Sequence, residues 1–175
     1  LKGAREGTLA IMVACPKEDR RMGVIDLCRE RLVLTMHPSN PLAQKKKVAI
    51  KDLHDQPMIH FERDQSTRKL IESILRRNEV SVKIVMEQDN IETMKRGVEA
   101  GIGISILPEP AIVRELQIGT IVGKPFAEKE LHRPVGIIYR KGRAFSEPVK
   151  RLLEILKEPA PKIEESLAPA AVPAQ

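Results

Sequence analysis

The stretch Glu62-Arg63-Asp64-Gln65-Ser66-Thr67 concentrates the side chains best suited to holding a ligand. It follows the apolar run Pro57-Met58-Ile59-His60-Phe61 and precedes Leu70, Ile71, Ile74 and Leu75, so it reads as the loop between a strand and a helix. A helix that begins there leaves backbone N–H groups unpaired beside two hydroxyls. Its N-terminus carries about half a positive charge, so a carboxylate, phosphate or sulfate gains charge-assisted hydrogen bonds, the dipole alone contributing roughly 0.3–1 kcal/mol. Arg63 or Arg68 could add a guanidinium fork. The plainer reading is that Ser66 or Thr67 caps its own helix, and both readings can hold together.

Other chemistry is sparse. His37, His54, His60 and His132 are isolated, without HxxxH or HExxH spacing, so no metal site is expected and His60 reads as structural or rim-exposed. Cys15 and Cys28 fit neither a CxxC redox pair nor a zinc half-site. No GxSxG elbow, SxxK motif or distinctive carboxylate pair is present, so catalysis is not indicated and no cofactor is called for. Gly101-Ile102-Gly103 follows a helical pattern and leads into a strand, the reverse of a phosphate loop. A helix C-cap and a close backbone approach explain both glycines, and Asp89-Asn90 reads as a cap before Ile91. Lys45-Lys46-Lys47 reads as a solvated loop, with a phosphate-contacting role left open.

The chain of 175 residues, 42% hydrophobic and 31% charged, is large enough for one domain or for two small lobes sharing a cleft, and excludes a disordered or fibrous protein. One Tyr, three Phe and no Trp argue against stacking platforms for single-stranded nucleic acid. A net charge of +6, spread along the chain, predicts solubility and slight anion attraction. No apolar run approaches the roughly 18 residues that cross a bilayer, and Leu1-Lys2-Gly3-Ala4-Arg5 lacks signal-peptide grammar, so a reducing cytoplasm is expected.

Leu9-Ala10-Ile11-Met12-Val13 reads as a strand covered on both faces, as inside a parallel sheet, and its early position implies a chain that starts within a domain. Further strands are expected at Arg31 to Met36, Pro57 to Phe61, Val82 to Met86, Ile104 to Leu107, Thr120 to Val122 and Val135 to Tyr139. Helices fall between them, with Pro108 and Pro110 opening one and Ser146 capping the last. The alternation predicts an α/β fold with mostly parallel sheets, followed by a disordered Pro/Ala-rich tail at 158–175.

Three segments together resemble the effector-binding domain of LysR-type transcriptional regulators: Arg29 to Ala43 (RERLVLTMHPSNPLA), Val98 to Pro108 (VEAGIGISILP) and Pro134 to Lys141 (PVGIIYRK) with Phe145-Ser146. The likeness implies a type 2 periplasmic-binding-protein-like fold, two α/β lobes joined by crossover segments near Leu34-Thr35 and Pro134-Val135. Residues 35–134 would form lobe II, and residues 1–34 and 135–157 an incomplete lobe I. By the same likeness the effector contacts fall on Gln65, Ser66 and Thr67, with further contacts at Leu32, Leu34 and Val135.

The implied function is a ligand-sensing regulatory domain that binds a small, anionic metabolite between its lobes to control transcription. Its partners would be that effector, DNA only through a helix-turn-helix domain absent from this chain, and further copies in the full-length protein, with no membrane. A solute-binding protein of a transporter is the alternative, and an enzyme working in the cleft the third reading.

Overall fold

Two antiparallel strands form the spine of the molecule. The computed structural model describes residues 11–16, 19–128, 131–142 and 144–157. Strand β1 is Ile11–Ala14, β2 is Met22–Met36, β3 is Pro57–Phe61, β4 is Lys83–Gln88, β5 is Ser105–Pro108, β6 is Val122–Lys124 and β7 is Leu131–Arg140. Helix α1 is Ser66–Arg77, α2 is Ile91–Glu99, α3 is Val113–Ile118 and α4 is Glu147–Lys157. Short 3-10 turns occupy Pro41–Gln44, Ile50–Leu53 and Glu109–Ile112, the last being where the prolines open a helix that becomes α only at Val113.

Strand β2 changes character along its length. Its first half mixes exposed and buried positions, whereas Leu32, Val33, Leu34, Thr35 and Met36 are all buried, as expected of a strand covered on both faces. The first half pairs with β7 from Met22 opposite Arg140 to Leu32 opposite Leu131, with an irregularity between Asp26 and Cys28. The second half pairs with β5 and with β6. Strand β1 lies on the outer side of β7, Ile11 opposite Tyr139. Strands β3 and β4 pair separately, in parallel.

The two groups of strands are stitched by polar groups. Ile59 N–H donates to Ile104 O and Ile104 N–H to Pro57 O, each at 2.8 Å. The buried Ser105 hydroxyl donates to Ile59 O and the buried Thr35 hydroxyl to Ser105 O, each at 2.9 Å. Gly103 is forced by this approach, because a Cβ there would lie 2.6 Å from Pro57 O. Gly101 carries φ +71° just past α2 and its N–H donates to Val98 O, the expected helix stop.

Two expectations need correction. The five-stranded sheet is built from antiparallel ladders, and among the described residues parallel pairing is confined to β3 with β4 and to isolated bridges. An apolar run reports that both faces are covered and says nothing of strand direction, and β7 must return beside β2 after the excursion through residues 37–130. Strand β1 is not an interior strand of a parallel sheet either. It sits at an edge with Val13 50% exposed, while Leu9 and Ala10 lie outside the described residues. The tail at 158–175 lies outside them as well. Among the described residues no helix is long and apolar enough to cross a membrane.

Candidate functional site

The first turn of α1 is organised differently from a self-capped helix. Gln65 occupies the N-cap position with extended backbone and makes no side-chain cap bond, its amide donating instead to Asp89 O at 3.2 Å. Ser66 and Thr67 are therefore the first two helical residues, and the expectation that one of them caps the helix is not met. Their hydroxyls are left for other partners.

Those partners come from two other segments. Arg133 of β7 donates from a terminal nitrogen to Thr67 Oγ1 at 3.3 Å, and its Nε donates to Glu30 Oε2 at 2.7 Å. Glu30 is the cross-strand partner of Arg133 in the β2–β7 ladder, so the pair is placed by strand register. Cys15, just beyond β1, brings its thiol within hydrogen-bonding reach of the Thr67 and Ser66 side chains and close to Arg133 and Glu30. Burial pushes the Cys15 thiol up, and Arg133 and the two hydroxyls offset this only in part, so the thiol stays protonated at neutral pH. The end of β1, the β2–β7 ribbon and the start of α1 thus converge on one guanidinium, one carboxylate, two hydroxyls and a thiol.

A second polar cluster lies beneath this turn and anchors it. Arg68 is buried and donates to Glu72, to Phe61 O at 2.6 Å and to Glu87 Oε1 at 2.9 Å. Hydrogen bonds from Arg68 hold the Glu72 and Glu87 carboxyls below their ordinary range. Through these three bonds the buried Arg68 tethers α1 to β3 and β4 and does not present its guanidinium as a fork for a ligand. Arg63 is exposed and, among the described residues, pairs with Glu87 at 3.7 Å. His60 is buried, its Nδ1 accepting from Phe61 N–H at 2.9 Å; burial first, and Arg68 second, lower its pKa from 6.5 to about 4.

The remaining residues implicated by resemblance lie in strands. Leu32 and Leu34 belong to the main hydrophobic core, and Val135 sits opposite Cys28. Arg133, which donates to Thr67, and Glu30, which accepts from Arg133, stand two residues earlier on the same strand faces: Glu30 before Leu32, and Arg133 before Val135. Sequence reasoning missed Glu30, Arg133 and Cys15. Strand alternation was the available signal for the first two, and the pairing of β2 with β7 was needed to join them. Among the described residues no group of three His, Cys, Asp or Glu could hold a metal ion.

The mixed α/β architecture is that of the type 2 periplasmic-binding-protein-like fold. Two solved structures share it: the regulatory domain of Synechocystis PCC6803 CcmR in complex with 2-PG, and the effector-binding domain of QuiR in complex with shikimate. They superpose with TM-scores of 0.81 each, at 20% and 19% identity, over 89% of this chain and 76% and 73% of theirs.

Residues 2–160 match the LysR substrate binding domain, and the chain belongs to that family. It is 28% identical over 123 residues to a probable RuBisCO transcriptional regulator of Synechocystis, covering 69% of this chain and 36% of the relative. It is also 28% identical over 157 residues to the Bacillus subtilis HTH-type transcriptional regulator YwbI, covering 89% and 52%. The chain spans about half, or less, of the length of these regulators.

Proposed function

We propose that this chain is the effector-sensing domain of a LysR-type transcriptional regulator. In this reading residues 35–134 form one lobe, residues 1–34 and 135–157 the other, and a small anionic metabolite binds between them. The observation that carries it is the convergence of Ser66, Thr67, Arg133, Glu30 and Cys15 from four separated segments. A helix N-terminus and a guanidinium suit a carboxylate or phosphate, and Glu30 adds an acceptor for a hydroxyl on the same molecule. Gln65 borders the site, with Leu32, Leu34 and Val135 forming the strands behind it.

A ligand held by both sides favours one relative arrangement by its difference in affinity for the two, typically about 1–3 kcal/mol. The domain itself carries out no reaction and works in the cytoplasm. In the whole regulator, DNA contact belongs to a helix-turn-helix domain distinct from this one, and self-association to the full-length protein. Matches to regulators support this reading over a transporter's solute-binding protein.

Calorimetric titration with 2-PG and with shikimate tests the site. Saturable heat from either compound, lost in Ser66→Ala and in Arg133→Met, is the expected result. Equal affinities in the parent and both variants remove these residues from the site.

A further inference from the structure

The far end of α1 borders a second cavity that the proposed effector site does not use. His60, Glu72, Leu75, Arg76, Val80, Ser81, Val82 and Ile84 line a groove of about 410 Å³ between α1 and β4. That volume lies within the roughly 300–1,000 Å³ typical of small-molecule sites. The floor and walls are largely apolar, with Leu75 and Val80 buried and Ile84 left 43% exposed at the edge strand.

One unpartnered buried donor lies beneath this groove and one guanidinium stands at its rim. His60 is 2% exposed, and its Nε2 is buried without a hydrogen-bond partner. Because Nδ1 accepts from Phe61 N–H, the proton of the neutral ring resides on Nε2, the nitrogen farther from the backbone. Burial and the neighbouring Arg68 keep that ring neutral at pH 7, so the group is a buried N–H with nothing to donate to. Such a group costs about 1–3 kcal/mol unless an acceptor arrives. Arg76 supplies the second donor: its guanidinium makes no hydrogen bond or close ion pair among the described residues, although its charge acts on Glu72. Glu72, which would repel an anion, is already engaged by Arg68.

We propose that this groove is a second small-molecule site, separate from the effector cleft, that takes a small carboxylic acid with a compact apolar body. The carboxylate accepts from Arg76 at the rim and from His60 Nε2–H, which lies just beneath the groove surface and is reached as the ligand displaces the side chains over it, and the apolar part covers Leu75, Val80, Val82 and Ile84. Ser66 and Thr67 stand at the opposite end of the same helix, so the two sites do not share side chains.

The test is an NMR titration of the whole chain with benzoate, with cyclohexanol and sulfate as the apolar-only and charge-only arms. Benzoate is expected to move the Val82 and Ile84 methyl signals and the His60 Nε2 resonance saturably, with cyclohexanol and sulfate much weaker. His60→Phe and Arg76→Gln should each weaken benzoate about tenfold, the effect of losing one charged hydrogen bond, whereas Ser66→Ala leaves it unchanged. Arg76 is exposed, so its variant folds whatever His60→Phe does. The proposal is overturned if benzoate moves only signals near Ser66 and Thr67, or if Arg76→Gln binds it as tightly as the parent. It is overturned equally if the groove signals respond to protein concentration and not to benzoate, which gives the groove to a second copy, or if no probe binds, which leaves it to water.

Discussion

The two ends of the β2–β7 ribbon are held together by different forces. At one end Leu32 to Met36 enter a hydrophobic core that continues through Phe61, Ile71, Met94, Ile104 and Leu107 and is closed by α1, α2 and the Glu109–Ile112 turn. At the other, the buried cluster is Met22 and Ile138 with Met12 and Ala14 against it, and Val13, Val24, Leu152 and Ile155 remain exposed. Burial stabilises the first region, at about 25 cal/mol per Å² of apolar surface. Ladder hydrogen bonds between β1, β7 and β2 carry most of the order in the second, and each contributes only about 1 kcal/mol net. The Ser66–Thr67 side of the candidate site therefore stands on a stiff base, and the Cys15 side on a softer one.

Core truncation separates the regions most strongly. Leu107→Ala should lower the unfolding free energy by about 2–5 kcal/mol, because a fully buried leucine leaves a cavity the surrounding core cannot close. Ile138→Ala removes an equally buried side chain, yet its cost to global unfolding should be smaller, since β1 and its neighbours can open locally before the rest. Urea denaturation of the two variants measures this. Equal losses would show that the molecule unfolds as one unit and would abolish the contrast.

His60 gives the next largest effect and belongs only to the stiff region. Its folded pKa, about 4, lies below 6.5, so the unfolded chain binds the proton first and stability falls as pH drops between those values. The loss approaches about 3 kcal/mol, at 1.36 kcal/mol per pH unit of displacement. Arg68, Glu72 and Glu87 face this ring, and as pH falls further the two carboxyls, held low by Arg68, lose their own contribution. His60→Phe should flatten the stability profile between pH 6.5 and about 4 while leaving the acid limb. An unchanged profile would mean that another group titrates there.

The stiff region was also the more legible in sequence. Pro57 to Phe61 is the observed β3 to the residue, Asn90 accepts from Glu92 N–H at 2.8 Å as its cap, and Gly101 and Gly103 occupy the turn and the close approach expected of them. Local patterns suffice where a strand and its helix cover each other. The candidate site was half legible, because Ser66 and Thr67 announce themselves by type beside a helix start, whereas Glu30 and Arg133 look like ordinary strand-surface charges. More than a hundred residues separate them, and only the register of β2 on β7 turns them into a pair. Strand direction was misread for the same reason, since composition records burial and not partner.

The smallest predicted change lies on the link between the two regions. Arg133 and Glu30 keep 17% and 24% of their side-chain surface, so their pairing is partly screened and Arg133→Met should cost about 1 kcal/mol or less in stability. Its effect on coupling is larger than its effect on stability. Arg133 joins the ribbon to Thr67, and Cys15 touches the same hydroxyl from the end of β1, so the guanidinium is the bond through which α1 steadies the softer side. Hydrogen exchange should therefore show faster exchange at Met12, Val13 and Ala14 in Arg133→Met, with amides around Ile59 and Ile104 unchanged. A ligand bridging Ser66, Thr67 and Arg133 should slow the β1 amides in the parent and fail to do so in the variant. If Arg133→Met leaves β1 exchange untouched, the ladder to β7 alone holds that edge, and the polar cluster reports a ligand without transmitting its presence.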